Sequence, residues 1–189
     1  MQVYTFPDPV LHEVCEPVEP GDETVLRYVD NMFKEMYGSD GVGLAGPQVG
    51  LLKRMVVIDT DYVTEDEDGE LLPSRPLVLI NPEIIEHSET KIPSTEGCLS
   101  LPGLSVNVKR WEWVRVKCLD ADFNEVEHYG EDLFGICMQH EMDHLDGVTL
   151  IERADPIARL KALREYRAAT GQSARSSHGT GPLMEVDAQ

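Results

Sequence analysis

The segment EDLFGICMQHEMDHLDG, at residues 131–147, constrains the fold of this chain more than any other part of the sequence. Its apolar residues fall on several faces of a helix rather than in one stripe. They are Leu133, Phe134, Ile136, Cys137, Met138 and Leu145. A helix that is apolar most of the way round is buried among other elements instead of lying on the surface. The pattern therefore predicts a central helix that ends at Gly147.

The motif HEMDH in this helix predicts a metal site. His140 and His144 are four residues apart, so both imidazoles leave the same face about one turn from each other and can bind one ion. Without a metal, each buried imidazole would have to be desolvated and hydrogen-bonded, which makes metal binding the simpler explanation. Glu141 points to the rim of the same site, where it is placed to take a proton from a water molecule that the metal activates.

The position of a third ligand separates the classes of metal enzyme. A metzincin protease would carry a histidine where this chain has Leu150. A thermolysin-like enzyme would use a glutamate from a later helix, and Glu165 is the candidate there, on a basic helix that we expect at the periphery. Cys98, next to Gly97 in EGCLSLPG, offers a thiolate, which is a strong ligand for zinc or ferrous iron. It would complete a three-ligand site with an open position for water.

Length, charge and cysteine content exclude several other classes of protein. The 189 residues fit one domain, and a formal net charge of -19 argues against a nucleic-acid coat. The sequence has no apolar run of about 20 residues and no signal-peptide pattern at its start, so we expect a soluble cytoplasmic protein and no membrane partner. The four cysteines are too few and too widely spaced for a disulfide framework, so we expect free thiols.

The remaining pattern predicts strands before the central helix. Apolar runs at residues 55–58 and 77–85 are typical of strands, and residues 111–118 and 126–129 predict a hairpin. The insert between the first two strands carries seven carboxylates within residues 59–70 and is interpreted as a solvated loop or hairpin tip. Its spacing does not match a calcium-binding loop.

Two further helices are predicted. Residues 23–37 place apolar side chains at helical spacing, with Asp22 as the cap at the start and Gly38 at the end. The segment DPIARLKALREYRAA predicts a last helix that begins after Asp155. Residues 170–189 are rich in Gly, Ser and Thr and are predicted to be a flexible tail behind a single catalytic domain at residues 1–169.

Three motifs together resemble the peptide deformylase family. They are GVGLAGPQ at residues 41–48, EGCLS at residues 96–100 and QHEMDH at residues 139–144, in the family's order and spacing. The resemblance implies an α+β fold in which antiparallel sheets pack around the central helix that carries the H-E-x-x-H motif, with a C-terminal helix. It also implies a hydrolase that removes the formyl group from the N-terminal formylmethionine of new polypeptides. We expect this hydrolase to be a monomer.

The resemblance further implies one divalent metal ion, held by Cys98, His140 and His144. Ferrous iron is the expected native metal, with zinc or another divalent ion as the alternative. Glu141 would accept the proton of the attacking water and return it to the leaving amine. The metal, the Leu99 backbone N–H and the Gln48 side-chain amide would stabilise the charge on the formyl oxygen.

Substrate contacts are implied in the same way. Gly43 and Gly97 would bind the peptide backbone in extended form. Four residues would line a pocket for the methionine side chain, although a role in core packing alone stays equally open for each: Val42, Leu133, Ile136 and Cys137. The chain departs from the family pattern at Gly46, where Ala is usual, and at His12 and Ser105, where Arg is common.

Two alternatives to this function stay open at this stage. A metalloprotease of the H-E-x-x-H type is the main one, and a binding protein that kept the fold without catalysis is another. Residues 151–175 hold six Lys and Arg against three acids, so the last helix is either a solvated helix or a docking element for the ribosome, where nascent chains emerge.

Overall fold

The computed structural model describes residues 1–171 and shows an α+β fold with antiparallel sheets and a C-terminal helix, as predicted. The strands are Gly43–Ala45 (β1), Met55–Ile58 (β2), Leu77–His87 (β3), Lys91–Gly97 (β4), Ser105–Trp111 (β5), Trp113–Leu119 (β6) and Glu125–Glu131 (β7). The helices are Val29–Gly38 (α1), Asp132–Leu145 (α2), Leu150–Arg153 (α3) and Pro156–Thr170 (α4). Short 3-10 turns cover Pro9–His12, Val25–Tyr28, Gly46–Val49 and Asp61–Val63.

Two antiparallel sheets surround α2. The larger sheet has the strand order β1-β2-β3-β6-β7, and β4 pairs with β5 in a separate hairpin. The main hydrophobic core lies between the large sheet and α2, since strand and helix side chains join in one cluster. Its fully buried members include Val56, Ile58, Leu79, Val114, Val116, Met138 and Leu145. Ten of the fourteen residues of α2 are buried, as expected of a helix that is apolar on several faces.

Helix α2 starts directly after β7, where strand and helix touch backbone to backbone. A methyl group on Gly135 would stand 2.5 Å from the carbonyl oxygen of Gly130, so Gly135 cannot carry a side chain without a shift of the backbone. The helix ends at Leu145, two residues before the predicted end, and Gly147 follows it with a φ of 71°. Only a glycine adopts that left-handed conformation without strain.

The hairpin of β4 and β5 was not evident from the sequence. In β5 the side chains alternate, and Val106, Val108 and Arg110 point inward. The two valines pack under α3 and α4 in a second hydrophobic cluster, together with Leu101 and Tyr166. This hairpin brings the turn that carries the second motif against α2.

The prediction for the acidic insert is correct for one part and wrong for another. Glu65, Asp66, Glu67, Asp68 and Glu70 are exposed, as expected of a solvated loop. Asp59, however, is only 1% exposed. Its carboxylate accepts four hydrogen bonds, which offset the cost of removing the charge from water.

The two flanking helices are present with small differences at their ends. The first turn of the predicted helix at residues 23–37 is the 3-10 turn Val25–Tyr28, and α1 extends through Gly38. Asp155 caps α4 as predicted, by accepting hydrogen bonds from two backbone N–H groups. The predicted tail lies outside the described residues, apart from Thr170 and Gly171, which close α4. Among the helices of residues 1–171, none has the length and apolarity that crossing a membrane requires.

Candidate metal centre

Cys98, His140 and His144 meet at the inner face of α2. Cys98 lies in the turn after β4, and its Sγ is 3.2 Å from His144 Nε2. One donor atom from each of the three side chains lies within 4.8 Å of the other two. No second group of this kind occurs within residues 1–171. The geometry therefore joins the second and third sequence motifs at one point.

The chemistry of these donors fits a bound divalent ion. Burial alone would raise the pKa of Cys98, but the charges of His144 and His140 outweigh it and hold that pKa well below the ordinary value of a thiol. Metals bind the thiolate and not the thiol, so the cysteine is prepared to act as a ligand. His140 Nδ1 lies 2.8 Å from Glu96 Oε2, which leaves Nε2 of that ring for a metal. A thiolate with two imidazoles suits zinc or ferrous iron.

A buried ionic network supports His140 from behind. The guanidinium of Arg110 donates to both carboxylate oxygens of Glu96, each at 2.8 Å, and to Asp143 Oδ2 at 2.6 Å. Arg153 of α3 donates to the same Asp143 carboxylate. Burial would raise the pKa of Glu96, but the hydrogen bonds from Arg110 and His140 lower it to about 2. The carboxylate that orients His140 is therefore ionised at neutral pH.

Sequence reasoning missed this network. Glu96 belongs to the second motif, and its place two residues before Cys98 was the available signal. In β5 every second side chain points inward, and Arg110 falls on the same face as Val106 and Val108. The alternation therefore indicated a buried charge at Arg110. A buried arginine needs acidic partners, which would have led back to the motifs.

Glu141 lies beside the three donors and is 5% exposed. Its Oε2 has no hydrogen-bond partner within residues 1–171. Burial raises the pKa of this carboxyl to about 7, against the opposing effect of the two neighbouring imidazoles. A carboxyl with such a pKa and a free oxygen can accept and return a proton near neutral pH.

Gln48 is held in one orientation next to Cys98. Its Oε1 accepts the Ala45 N–H at 2.8 Å, so Nε2 must face the cysteine, where it donates to Ser100 Oγ at 3.1 Å and lies 3.6 Å from Cys98 Sγ. Ser100 is a second residue of the motif whose part in the site was not foreseen. The Leu99 backbone N–H has no acceptor within residues 1–171.

The departure at Gly46 has a local cause. This residue opens the 3-10 turn that carries Gln48. A methyl group there would stand 2.6 Å from the carbonyl oxygen of Leu51 and 2.8 Å from that of Lys53. Cβ atoms do not approach backbone oxygens so closely, and in this chain the turn is therefore built around a glycine.

Cys98, His140 and Glu141 line a cavity of about 860 Å³. Every residue expected in the site lines this cavity except His144. The expected residues on the wall are Val42, Gly43, Gln48, Gly97, Cys98, Leu99, Leu133, Ile136, Cys137, His140 and Glu141. Val42 and Cys137 also belong to the main core, so packing and pocket lining are combined there.

The positions considered for a protease-type third ligand lie away from the metal centre. Leu150 is buried in the hydrophobic cluster under α3, and Glu165 is exposed on α4 beside Lys161, so neither offers a ligand. Ser105 lines the cavity, whereas His12 lies 3.4 Å from Glu152 outside it. The third ligand of a protease-type site is therefore not supplied at either position considered from the sequence.

Comparisons with known proteins agree with one another. A family model described as Polypeptide deformylase matches residues 1–160. A peptide deformylase from Thermodesulfovibrio yellowstonii is 43% identical over 159 residues, which cover 84% of this chain and 92% of the relative. One from Maricaulis maris is 37% identical over 166 residues, covering 88% of this chain and 91% of the relative.

Solved structures show the same likeness. A crystal structure of peptide deformylase from Ehrlichia chaffeensis in complex with actinonin has a TM-score of 0.79 at 33% identity, covering 89% of this chain and 96% of that one. A peptide deformylase from Legionella pneumophila has a TM-score of 0.77 at 35% identity, covering 93% of this chain and 98% of that one.

Proposed function

The chain belongs to the polypeptide deformylase family, and on this premise we propose that it removes the formyl group from N-terminal formylmethionine of newly made polypeptides and releases formate. One observation supports this proposal above the others. Cys98, His140 and His144 converge, and Cys98 and His140 line the same cavity as Glu141 and Gln48. A protease of the H-E-x-x-H type is not favoured by the comparisons.

The three donors would hold one divalent ion, and we propose ferrous iron as the native one, with zinc or another divalent ion as the alternative. When bound, the ion supplies Lewis acidity next to the attacking water and the formyl oxygen. Metal analysis of protein purified without oxygen, combined with activity, tests the choice, because an iron–thiolate site is prone to oxidation.

Glu141 would be the general base and then the general acid. Its raised pKa of about 7 lets it take a proton from the attacking water and hold it until the carbon–nitrogen bond breaks. It would then give the proton to the leaving amine of methionine. Its unpartnered Oε2 is the atom available for this transfer.

Two groups of the chain would stabilise the negative charge on the formyl oxygen. The Leu99 backbone N–H has no competing acceptor within residues 1–171, and the Gln48 amide is oriented by Ala45. Donors fixed before the reaction cost little reorganisation when charge develops. Both line the same cavity as Glu141.

The remaining wall of the cavity would bind the substrate. Gly43 and Gly97 lie on it and present backbone groups to an extended peptide. Val42, Leu133 and Ile136 would surround the methionine side chain together with Cys137, whose thiol stays neutral because burial raises its pKa well above the ordinary value. A neutral thiol preserves the apolar character that a thioether requires.

Formate release from formyl-Met-Ala-Ser tests the proposal. The wild-type protein should release formate, and inhibition by actinonin, which binds the relative from Ehrlichia chaffeensis, would connect that activity to this site. Glu141→Gln should lower kcat by about 10²-fold to 10⁴-fold, since it removes the base while keeping the shape. Its metal content should equal that of the wild type.

Two outcomes would contradict these assignments. Near-normal turnover by Glu141→Gln would remove Glu141 from the role of base. Cleavage of internal peptide bonds without formate release would instead favour a protease. Glu165→Gln, an exposed change on α4, is the matched control and should leave turnover unchanged.

The wider setting is proposed on the same basis. We place the catalytic domain at residues 1–169, in a monomer that acts on nascent chains in the cytoplasm. The basic stretch at residues 151–175 would dock on the ribosome, and its part within α4 exposes Ile157 and Leu160 beside basic residues. Loss of ribosome binding after changes to this helix, with formate release retained, would support that role.

A further inference from the structure

The insert at residues 59–76 is anchored to the cavity wall through a buried carboxylate. Asp59 Oδ2 accepts the hydroxyl of Tyr37 at 2.8 Å and that of Ser74 at 2.5 Å. Its Oδ1 accepts the backbone N–H of Arg75 at 3.2 Å. Because these bonds come from α1 and from the far end of the insert, Asp59 ties both ends of the loop to the body of the protein.

Tyr62 extends this anchor to the first sequence motif. Its hydroxyl donates to the carbonyl oxygen of Gly41 at 2.8 Å. Its ring meets the ring of Tyr37 edge-on, with centroids 5.2 Å apart. Tyr37 is itself held by Asp59. The ring of Tyr62 is therefore positioned by Tyr37, which does not line the cavity.

The segment held by Tyr62 is the strand edge that faces the cavity. Gly41 packs against the side chain of Leu99, and the Val42 carbonyl accepts the Asp59 N–H at 3.0 Å. Gly43 begins β1, which within residues 1–171 pairs with β2 on one side only. Gly41, Val42 and Gly43 all line the cavity.

We infer that Tyr62 is a positioning residue for the substrate peptide. By holding the Gly41 carbonyl, it fixes the edge of β1 along which the peptide beyond methionine would be laid as an added strand. An edge fixed beforehand loses less conformational freedom when the peptide binds. This inference rests on the proposed function, and it assigns the acidic insert a part in substrate binding.

The test compares a long and a short substrate in the metal-loaded enzyme. Tyr62→Phe removes the hydroxyl and keeps the ring. For formyl-Met-Ala-Ser we expect KM to rise about two- to tenfold with kcat within about twofold, as the loss of one hydrogen bond implies. For formyl-methionine amide, which has no backbone beyond methionine, both constants should stay unchanged.

Tyr129→Phe is the matched control, because that exposed tyrosine donates only to Glu131 on the same strand. It should alter neither substrate. An unchanged KM of Tyr62→Phe for the long peptide would overturn the inference. An equal change for both substrates would also overturn it, since a general loss of structure would have that effect.

Hydrogen exchange provides a readout apart from activity. Amides of residues 41–45 should exchange faster in Tyr62→Phe than in the wild type and in Tyr129→Phe, and equal exchange would contradict the inference. If the wild-type chain releases no formate from either substrate, the proposed function fails, and the exchange result alone decides whether Tyr62 positions this edge.

Discussion

Replacing Arg110 with methionine should destabilise the protein far more than the loss of a surface charge. The guanidinium is 3% exposed and makes three hydrogen bonds to the carboxylates of Glu96 and Asp143. Methionine fills a similar volume but leaves both carboxylates buried without this cation. Breaking a buried ion pair by removing one partner costs about 3–5 kcal/mol of unfolding free energy.

The pKa of Glu96 gives a second measure of how much this ion pair stabilises the fold. Its ordinary value of 4.5 falls to about 2 in the folded protein. At about 1.4 kcal/mol for each pKa unit, this difference corresponds to about 3 kcal/mol. A depressed carboxyl pKa stabilises the fold above the unfolded pKa, so the contribution is complete above about pH 4.5 and is lost as the pH falls toward 2.

The pH dependence of the variant should have the opposite sign. Without Arg110, His140 still lowers the pKa of Glu96, but burial is the largest single effect on this carboxyl. We expect burial to raise that pKa above its unfolded value, so that the folded variant binds a proton more tightly than the unfolded one. Its stability should therefore rise as the pH falls. We expect the deficit relative to the wild type to be smaller at pH 5 than at pH 7.5.

Urea unfolding at both pH values, with a chelator present to remove the contribution of any metal, measures this deficit. Arg115→Met is the control, because Arg115 is half exposed and pairs with Glu86 at 2.8 Å, so its loss should cost less than about 1 kcal/mol. A loss of less than about 1 kcal/mol for Arg110→Met, or a deficit independent of pH, would refute the reasoning.

Two further predictions concern single positions. Cys98→Ser should reduce bound metal well below one ion per chain, because an alcohol is a much weaker ligand than a thiolate. Elemental analysis after dialysis measures the bound metal, and full retention would argue against Cys98 as a ligand. Gly46→Ala should lower the free energy of unfolding, measured in urea, by about 1–3 kcal/mol, because its methyl group meets two carbonyl oxygens. Gly97→Ala should not, because its methyl group would meet only the Leu104 carbonyl oxygen, at an ordinary contact distance of 4.0 Å; equal effects would contradict the packing argument.

The elements with a clear period could be predicted from the sequence. The central helix, its two histidines and the capped last helix follow from helical spacing and from cap residues, which act locally. The hairpin of β4 and β5 was missed because β4, with the sequence KIPSTEG, has neither strong alternation nor many β-branched apolar residues. Even so, β4 pairs with β5 along its whole length, so the partner strand and the packing determine its conformation.

The support of the site was harder to predict than its ligands. Asp59 lies at the start of an acidic run whose composition favours solvation, yet it is buried and accepts hydrogen bonds from Tyr37 on α1 and from Ser74 and Arg75 at the far end of the insert. The alternation in β5 indicates that Arg110 is buried, but it does not indicate which carboxylates the guanidinium binds. Those partners, Glu96 and Asp143, are distant in sequence, so no local pattern identifies them.

At Gly130 and Gly135, the backbone of α2 lies directly against the backbone of β7, with no side chain between them. Gly135 precedes His140 by five residues, a distance of about 7.5 Å along the helix axis. A methyl group on Gly135 would push α2, which carries both imidazoles, away from β7, whereas Cys98 belongs to a different hairpin. The position of His140 and His144 relative to Cys98 therefore depends on the contact between Gly130 and Gly135, which are not themselves among the three donors.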